Sequence, residues 1–306
     1  MSNWKRIALI VLAVIALGGG GAYYWFVVES HVPADAAFSI DMDEVRRLAA
    51  AKSGDHPLEI HVEKVATLNF PATAIVAGDG WSKREMQVFS YELVFPDGSI
   101  AIIDTALDEK LGDGILASFD KDAYARMENA LGRAKLILIT HEHVDHIGGI
   151  TEYPDITKIL PSTELTQEQV DHPERSVPAA FAKGALDGYK PIAYDKYFAV
   201  APGIVLIKSP GHSPGSQMVY VKKVDGTEVL FIGDVAWKYR NIDLIRERAR
   251  LVTQFFLKED RHAVFGQLKE LARLHQAEPK LIIVPGHDGE IIDALVASKA
   301  MTKGFE

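Results

Sequence analysis

The first strong pattern along the chain is a run without charge. From Ile7 to Val28, 22 residues contain no Asp, Glu, Lys, Arg or His, with Lys5 and Arg6 just before and Tyr23, Tyr24, Trp25 and Phe26 near the end. As a helix this run would reach roughly 33 Å at ~1.5 Å per residue, enough to cross a bilayer core. The aromatic cluster suits the membrane interface, and Lys5 and Arg6 on the short side predict a cytoplasmic N-terminus. Residues 1–28 therefore read as an uncleaved signal anchor. The bulky aromatics continuing past the small residues Gly18–Ala22 argue against a cleaved signal peptide.

After the anchor, residues 29–57 read as a juxtamembrane connector with one short helix. Asp41 and Glu44 form a capping-box pair, and Val45, Leu48 and Ala49 give the helix a modest apolar face. From residue 58 to 306 the pattern is that of one mixed α/β domain. Strands are predicted over Leu58–Phe70, Met86–Phe95 and Ile100–Ile103, the last two separated by the turn Pro96-Asp97-Gly98. A helix follows at Ala123–Leu131, then the short apolar strand Lys135–Thr140. The Pro-broken stretch 161–191 reads as loop and short helix. Further strands are predicted at Ile204–Lys208, Gln217–Val224 and Glu228–Ile232, the last two joined by a hairpin turn at Asp225-Gly226. Apolar residues at helical spacing predict a helix over Asp260–His275, and Lys280–Val284 reads as another buried strand.

Composition changes this picture in two places. A net charge of −9 argues against a nucleic-acid partner, because phosphate backbones draw basic surfaces. The absence of cysteine removes disulfides, thiolate ligands and a cysteine nucleophile together.

The chemistry concentrates where apolar strands end. Directly after Lys135–Thr140 the chain reads "HEHVDH", placing His141, His143, Asp145 and His146 within six positions. In an extended segment His141 and His143 point to one side, while Asp145 and His146 fall at the turn into a helix and can face a second ion. Imidazole nitrogen and carboxylate oxygen suit a borderline ion such as zinc, and a carboxylate can bridge two cations. His212 sits in the Gly/Pro loop "SPGHSPGS", Asp234 in "FIGDVAW" after a strand, and His287 in "VPGHD" after another. Ser213 and Ser216 read as loop-forming residues rather than nucleophiles.

Together these motifs resemble the metallo-β-lactamase-fold superfamily, whose H-x-H-x-D-H signature matches His141, His143, Asp145 and His146. The resemblance spans roughly residues 58–295 and implies a four-layer αββα sandwich with the metals at one edge. It also implies a ligand set. His141, His143 and His212 would hold one divalent ion, zinc by ligand type; Asp145, His146 and His287 would hold the other, with Asp234 bridging. Asp104 in "IIDTA" matches a position that orients the ligands, although the family usually has glycine where Ala106 stands. The implied chemistry is attack on an electrophilic carbonyl, or on phosphorus, by a hydroxide bridging the two ions. Asp145 and Asp234 would be the catalytic carboxylates, Asp145 as a proton shuttle.

Within the superfamily the pattern is most similar to the N-acyl-homoserine-lactone lactonases. β-Lactamases of this fold generally lack the bridging aspartate and often use a cysteine; here Asp234 is present and cysteine absent. Glyoxalase-II-type thioester hydrolases add a helical domain after the last histidine, whereas 19 residues follow His287. In the lactonases a tyrosine three residues after the bridging aspartate contacts the substrate. Trp237 stands there, able to pack against an acyl chain and donate an indole N–H but not to act as a phenol. The expectation is a binuclear metallo-hydrolase of a small lactone or ester. It would be a single-pass inner-membrane protein whose catalytic domain lies on the periplasmic side. Phosphotriester, phosphodiester or thioester hydrolysis, and a metal-binding protein without turnover, are the alternatives. Stretches 161–191 and 237–257 are expected to shape the pocket.

Overall fold

The computed structural model describes residues 3–305. Helix α1 (Asn3–Tyr23) continues through a wider π-turn, Tyr24–Val28. Its apolar stretch is long enough to cross a membrane, and no side chain of α1 is buried. Helix α2 (Met42–Ala49) follows, with the Asp41 carboxylate accepting from the Glu44 N–H at 3.1 Å as the sequence predicts. Then come β1 (Glu59–Pro71), α3 (Ala72–Ile75), β2 (Lys83–Val94), β3 (Ile100–Ile103), β4 (Leu116–Phe119), α4 (Lys121–Leu131), β5 (Leu136–Leu138) and α5 (Val144–Thr151). The middle of the chain holds β6 (Thr163–Glu164), α6 (Gln167–Asp171), β7 (Tyr197–Ala201), β8 (Ile204–Lys208), β9 (Gln217–Lys222) and β10 (Glu228–Phe231). The last elements are α7 (Tyr239–Asp243), α8 (Arg261–Ala277), β11 (Leu281–Val284), α9 (Gly289–Ala297) and β12 (Thr302–Lys303).

Among the described residues the strands form two sheets. The first runs β12-β1-β2-β3-β5-β6, with β4 also paired to β1; the second runs β11-β10-β9-β8-β7. Strand β2 starts three residues earlier than its apolar pattern predicts, because Lys83 pairs with Pro71 and the ladder with β1 carries the exposed residues Lys83–Glu85.

The period of two along each strand sets the layers. Leu206, Val219, Val221 and Phe231 of the second sheet meet Tyr91, Leu93, Ile103 and Leu138 of the first, forming the core between the sheets. Their neighbours in sequence face the other way: Val205, Ile207, Met218 and Tyr220 pack on Val45 and Ala49 of α2 and on Val264, Leu268 and Leu271 of α8. Across the molecule, Ile102, Ile137 and Ile139 pack on Met127 and Leu131 of α4 and Ile147 and Ile150 of α5. Strands buried on both faces read as continuous apolar runs, which is how "KLILIT" and "KLIIV" read. The result is helix, sheet, sheet, helix. The short helix α2 belongs to the outer layer over the second sheet, where Val45 and Ala49 are fully buried.

The layering places strand ends. β3, β5, β10 and β11 lead directly into Asp104, His141, Asp234 and His287 respectively. The β8–β9 loop brings His212 to the same edge, where the Gln217 N–H donates to the Thr140 carbonyl at 2.8 Å.

Candidate metal centre

His141, His146, His212 and His287 each reach the edge with Nδ1 tied back and Nε2 turned inward, whereas His143 turns its Nδ1 inward. His143 caps α5, so Asp145 and His146 lie in its first turn. Glu142 turns away between the two histidines; its carboxylate accepts from the Ser213 hydroxyl at 2.7 Å and the Gly215 N–H at 3.1 Å. This ties the His141–His146 segment to the loop of His212. Ser213 and Ser216 are bonded within that loop, 2.9 Å apart through their hydroxyls.

The outer nitrogens of four of the five find oxygen partners. His146 Nδ1 lies 2.8 Å from Asp104 Oδ2, and His141 Nδ1 3.2 Å from Thr140 Oγ1. His287 Nδ1 lies 2.8 Å from the Gln87 carbonyl, and His212 Nδ1 2.5 Å from Glu259 Oε1. Asp104 is itself held by the Thr140 N–H at 2.7 Å and the Thr140 hydroxyl at 2.8 Å. Both Asp104 (φ 58°) and Ala106 (φ 52°) adopt the left-handed conformation. The turn therefore keeps a backbone that glycine takes without strain, with the Ala106 methyl buried in it.

The inner atoms converge in two groups. His141, His143, His212 and Asp234 offer ligand atoms within 4.8 Å of one another, as do Asp145, His146 and His287. His143 Nδ1 stands 3.1 Å from His141 Nε2 and 2.9 Å from His212 Nε2. Three nitrogens ~2.0–2.1 Å from one tetrahedral ion would stand about 3.3 Å apart, so this triangle is of ion-binding size. Asp234 lies between the groups: Oδ2 is 3.4 Å from His212 Nε2, and Oδ1 is 3.1 Å from His287 Nε2 and 3.5 Å from His146 Nε2. Asp145 Oδ2 lies 3.5 Å from His287 Nε2. The buried atoms His146 Nε2 and Asp234 Oδ1 have no hydrogen-bond partner. Buried polar atoms are nearly always satisfied, and a divalent cation would satisfy both. The donor set therefore fits two divalent ions.

Electrostatics divide the two groups. Burial, reinforced by neighbouring histidines, holds His141 and His143 well below the usual histidine range and keeps them neutral. Burial also opposes charge on His146 and His287, yet Asp104, Asp234 and Asp145 raise His146 and Asp234 leads in raising His287. Burial pushes the Asp234 carboxyl up, but the surrounding His287, His146 and His141 outweigh it and hold it well below the carboxylate range.

Behind the centre, Arg248 and Glu259 are signalled by no motif, and they join Trp237 in a second ring. Fully buried Arg248 donates from Nη2 to Glu259 Oε1 at 2.6 Å and to the Asp234 carbonyl at 2.5 Å. Its guanidinium also lies 4.5 Å from the Trp237 ring centroid. The Trp237 indole N–H donates to Asp234 Oδ2 at 2.6 Å. Gly286 permits this packing, since a Cβ there would fall 2.1 Å from Asp234 Oδ1.

Above the centre opens a cavity of about 800 Å³ whose lining includes His143, Asp145, Asp234 and Trp237. Leu68, Phe70 and Met86 supply apolar wall from the first sheet. Arg175 and Val177 come from the 161–191 stretch, and Leu251 and Val252 from the 237–257 stretch.

The chain belongs to the metallo-beta-lactamase superfamily, whose family model matches residues 84–287. Within that class it is similar to N-acyl homoserine lactonase AiiA of Bacillus thuringiensis subsp. kurstaki, at 29% identity over 154 residues, 50% of this chain and 56% of that protein. It is also 33% identical over 117 residues to a probable metallo-hydrolase, YybB, of Bacillus subtilis (strain 168), covering 37% of this chain and 51% of that one. The chain thus spans about half the length of the curated relatives it matches. An N-acyl homoserine lactone hydrolase with N-hexanoyl-L-homoserine at its catalytic metal centre shares the fold, with a TM-score of 0.61 at 17% identity over 78% of this chain and 96% of that one. So does AidC, a dizinc quorum-quenching lactonase, with a TM-score of 0.54 at 14% identity, covering 76% and 89%.

Glu259 gives the centre a direct test. Partners that orient ligand histidines typically contribute 10–100-fold in metal affinity. Glu259→Gln should weaken binding of the first ion by about that factor, read by chelator competition, with secondary structure unchanged. Unaltered affinity would show that Glu259 does not set the His212 ring.

Proposed function

We propose that the protein is a binuclear metal-dependent hydrolase of small lactones or esters. The observation that carries this reading is the convergence of seven ligand-type side chains, on two groups that meet at Asp234, beneath an apolar cavity. His141, His143 and His212 would hold one ion; Asp145, His146 and His287 would hold the other, with Asp234 shared. Zinc suits this nitrogen and oxygen donor set. Two such ions supply a water acidified towards neutral pH and a Lewis acid for the substrate oxygen.

The chain's own residues do the rest. The apolar walls at Leu68, Phe70 and Met86 exclude water and take the hydrophobic part of the substrate. Asp145 is half-buried and lines the cavity, which supports it as the carboxylate that would accept a proton and pass it to the leaving oxygen. Trp237 fixes Asp234 through its N–H and leaves its ring to the cavity wall. Asp104, Thr140, Glu259 and the Gln87 carbonyl hold the imidazoles in register. The similarity to lactonases supports lactones ahead of phosphotriesters, thioesters and β-lactams.

The purified chain should hydrolyse lactones or carboxylic esters in a panel that also contains thioesters, β-lactams and phosphotriesters. Asp234→Ala or His141→Ala should reduce that turnover to background while circular dichroism stays native. Full activity in either variant would place the chemistry elsewhere.

The reading extends to the N-terminus. Helix α1 would cross the inner membrane as a single-pass anchor, with the domain on the periplasmic side. Its exposure along its whole length, its uncharged run and Lys5–Arg6 at the short end support this. Protease added to spheroplasts should then digest the domain; complete protection would refute the orientation.

A further inference from the structure

The mouth of the cavity is largely apolar. Trp81, Ile115, Val177, Leu251 and Phe256 all line it, yet all are exposed, Phe256 at 76%, Val177 at 68% and Trp81 at 59%. A contiguous exposed apolar patch of this kind marks an interaction site. Its position relative to the N-terminal helix is fixed by direct contacts. Val27, the penultimate residue of the π-turn, itself lines the cavity. The Trp81 indole N–H donates to the Tyr23 hydroxyl at 3.2 Å, and the Phe255 ring centroid lies 6.0 Å from that of Phe26.

The base of the helix is also anchored to the domain. The Val27 carbonyl accepts from the Thr73 hydroxyl at 3.0 Å and from the Gly78 N–H at 2.9 Å. Arg250 pairs with Glu29 and lies over the Trp25 ring, 3.9 Å from its centroid. The helix therefore leaves the domain at the cavity mouth and not from a remote face. Tyr23–Phe26 is the interfacial aromatic cluster of the span, so side chains touching it lie at the same depth.

We infer that the apolar mouth of the cavity docks on the leaflet from which α1 emerges, so that the site opens towards the bilayer. A bilayer is the partner this patch fits: the mouth adjoins the base of α1 through Val27, and basic Arg175 and Lys258, with acidic Glu174, stand beside it. Aromatic and aliphatic side chains on an interfacial surface, with basic residues around them, bind at the headgroup–acyl boundary. The substrate class follows. An ester or lactone with a long apolar tail, already dissolved in the leaflet, would pass from lipid into the cavity without crossing water. This inference rests on reading α1 as a membrane span and the centre as hydrolytic.

The test uses the full chain, whose lack of cysteine makes any introduced thiol a unique labelling site. Trp81→Cys, Val177→Cys and Phe256→Cys carry an environment-sensitive fluorophore at the mouth, and Leu12→Cys carries it within the span. Asp225→Cys carries it on the exposed β9–β10 turn, at the strand end opposite Gln217. The proteins are reconstituted into phosphatidylcholine–phosphatidylglycerol vesicles with and without brominated phosphatidylcholine. The mouth labels should lose fluorescence to the brominated lipid in step with the Leu12 label, while the Asp225 label keeps its intensity. Mouth labels that behave like the Asp225 label would overturn the proposal, whatever the Leu12 label does.

Turnover of a short-chain and a long-chain ester in the same vesicles separates the two readings. Quenched mouth labels without turnover would leave docking standing and remove the hydrolase reading. Turnover with unquenched mouth labels would do the reverse.

Discussion

The structure depends on holding five imidazoles and two carboxylates together at one buried edge. Ring nitrogens of His141, His143 and His212 stand 2.9–3.1 Å apart, crowded at a spacing that a shared cation would satisfy. The fold holds this crowding from behind. Asp104, Thr140, Glu259 and the Gln87 carbonyl take the outer nitrogens, and Arg248 locks Glu259 while also holding the Asp234 carbonyl. These restraints come from the first sheet, at Gln87, Asp104 and Thr140, and from the stretch before α8, at Arg248 and Glu259, while His212, Asp234 and His287 arrive from the second sheet, so both sheets are needed to aim the centre. The same arrangement explains Arg248, a charged side chain buried to 1% exposure. A buried charge persists when paired and hydrogen-bonded, and here its partner is the carboxylate that orients His212.

Much of this was legible along the chain because burial on both faces writes strands as apolar runs. Ile100–Ile103 and Ile204–Lys208 have the bounds the pattern predicts, and α8 begins after Asp260, whose carboxylate accepts from the Ala263 N–H at 3.1 Å. The ligand-type residues stood out because each follows such a run or sits in a Gly/Pro loop. The supporting ring did not stand out, for equally physical reasons. Arg248 lies in "RERAR" and Glu259 in "KEDRH", stretches that read as solvated charge. Gln87 acts through its backbone carbonyl, which no side-chain pattern reveals. The role of α2 was also hidden: eight residues with a modest apolar face do not disclose that Val45 and Ala49 close the second sheet.

Trp237 shows how the structure refines a residue picked out early. Its indole N–H, a plausible donor to substrate from sequence, is engaged by Asp234 at 2.6 Å. The ring between Arg248 and the cavity then serves as wall and as clamp on the shared carboxylate. In the proposed reaction, chemistry would fall to the ligand set, Asp145 included, and selectivity to the apolar walls. Those walls include Leu68 and Met86 within the cavity and Val27 at the base of α1.

The central claim is that this edge holds two ions. Elemental analysis of the purified full chain, set against protein concentration by amino-acid analysis, tests it most directly. About two divalent transition-metal ions per chain are expected, falling towards one when His146 and His287 are both replaced by alanine. Well under one ion in the unaltered protein, after supply of zinc during expression, would contradict it.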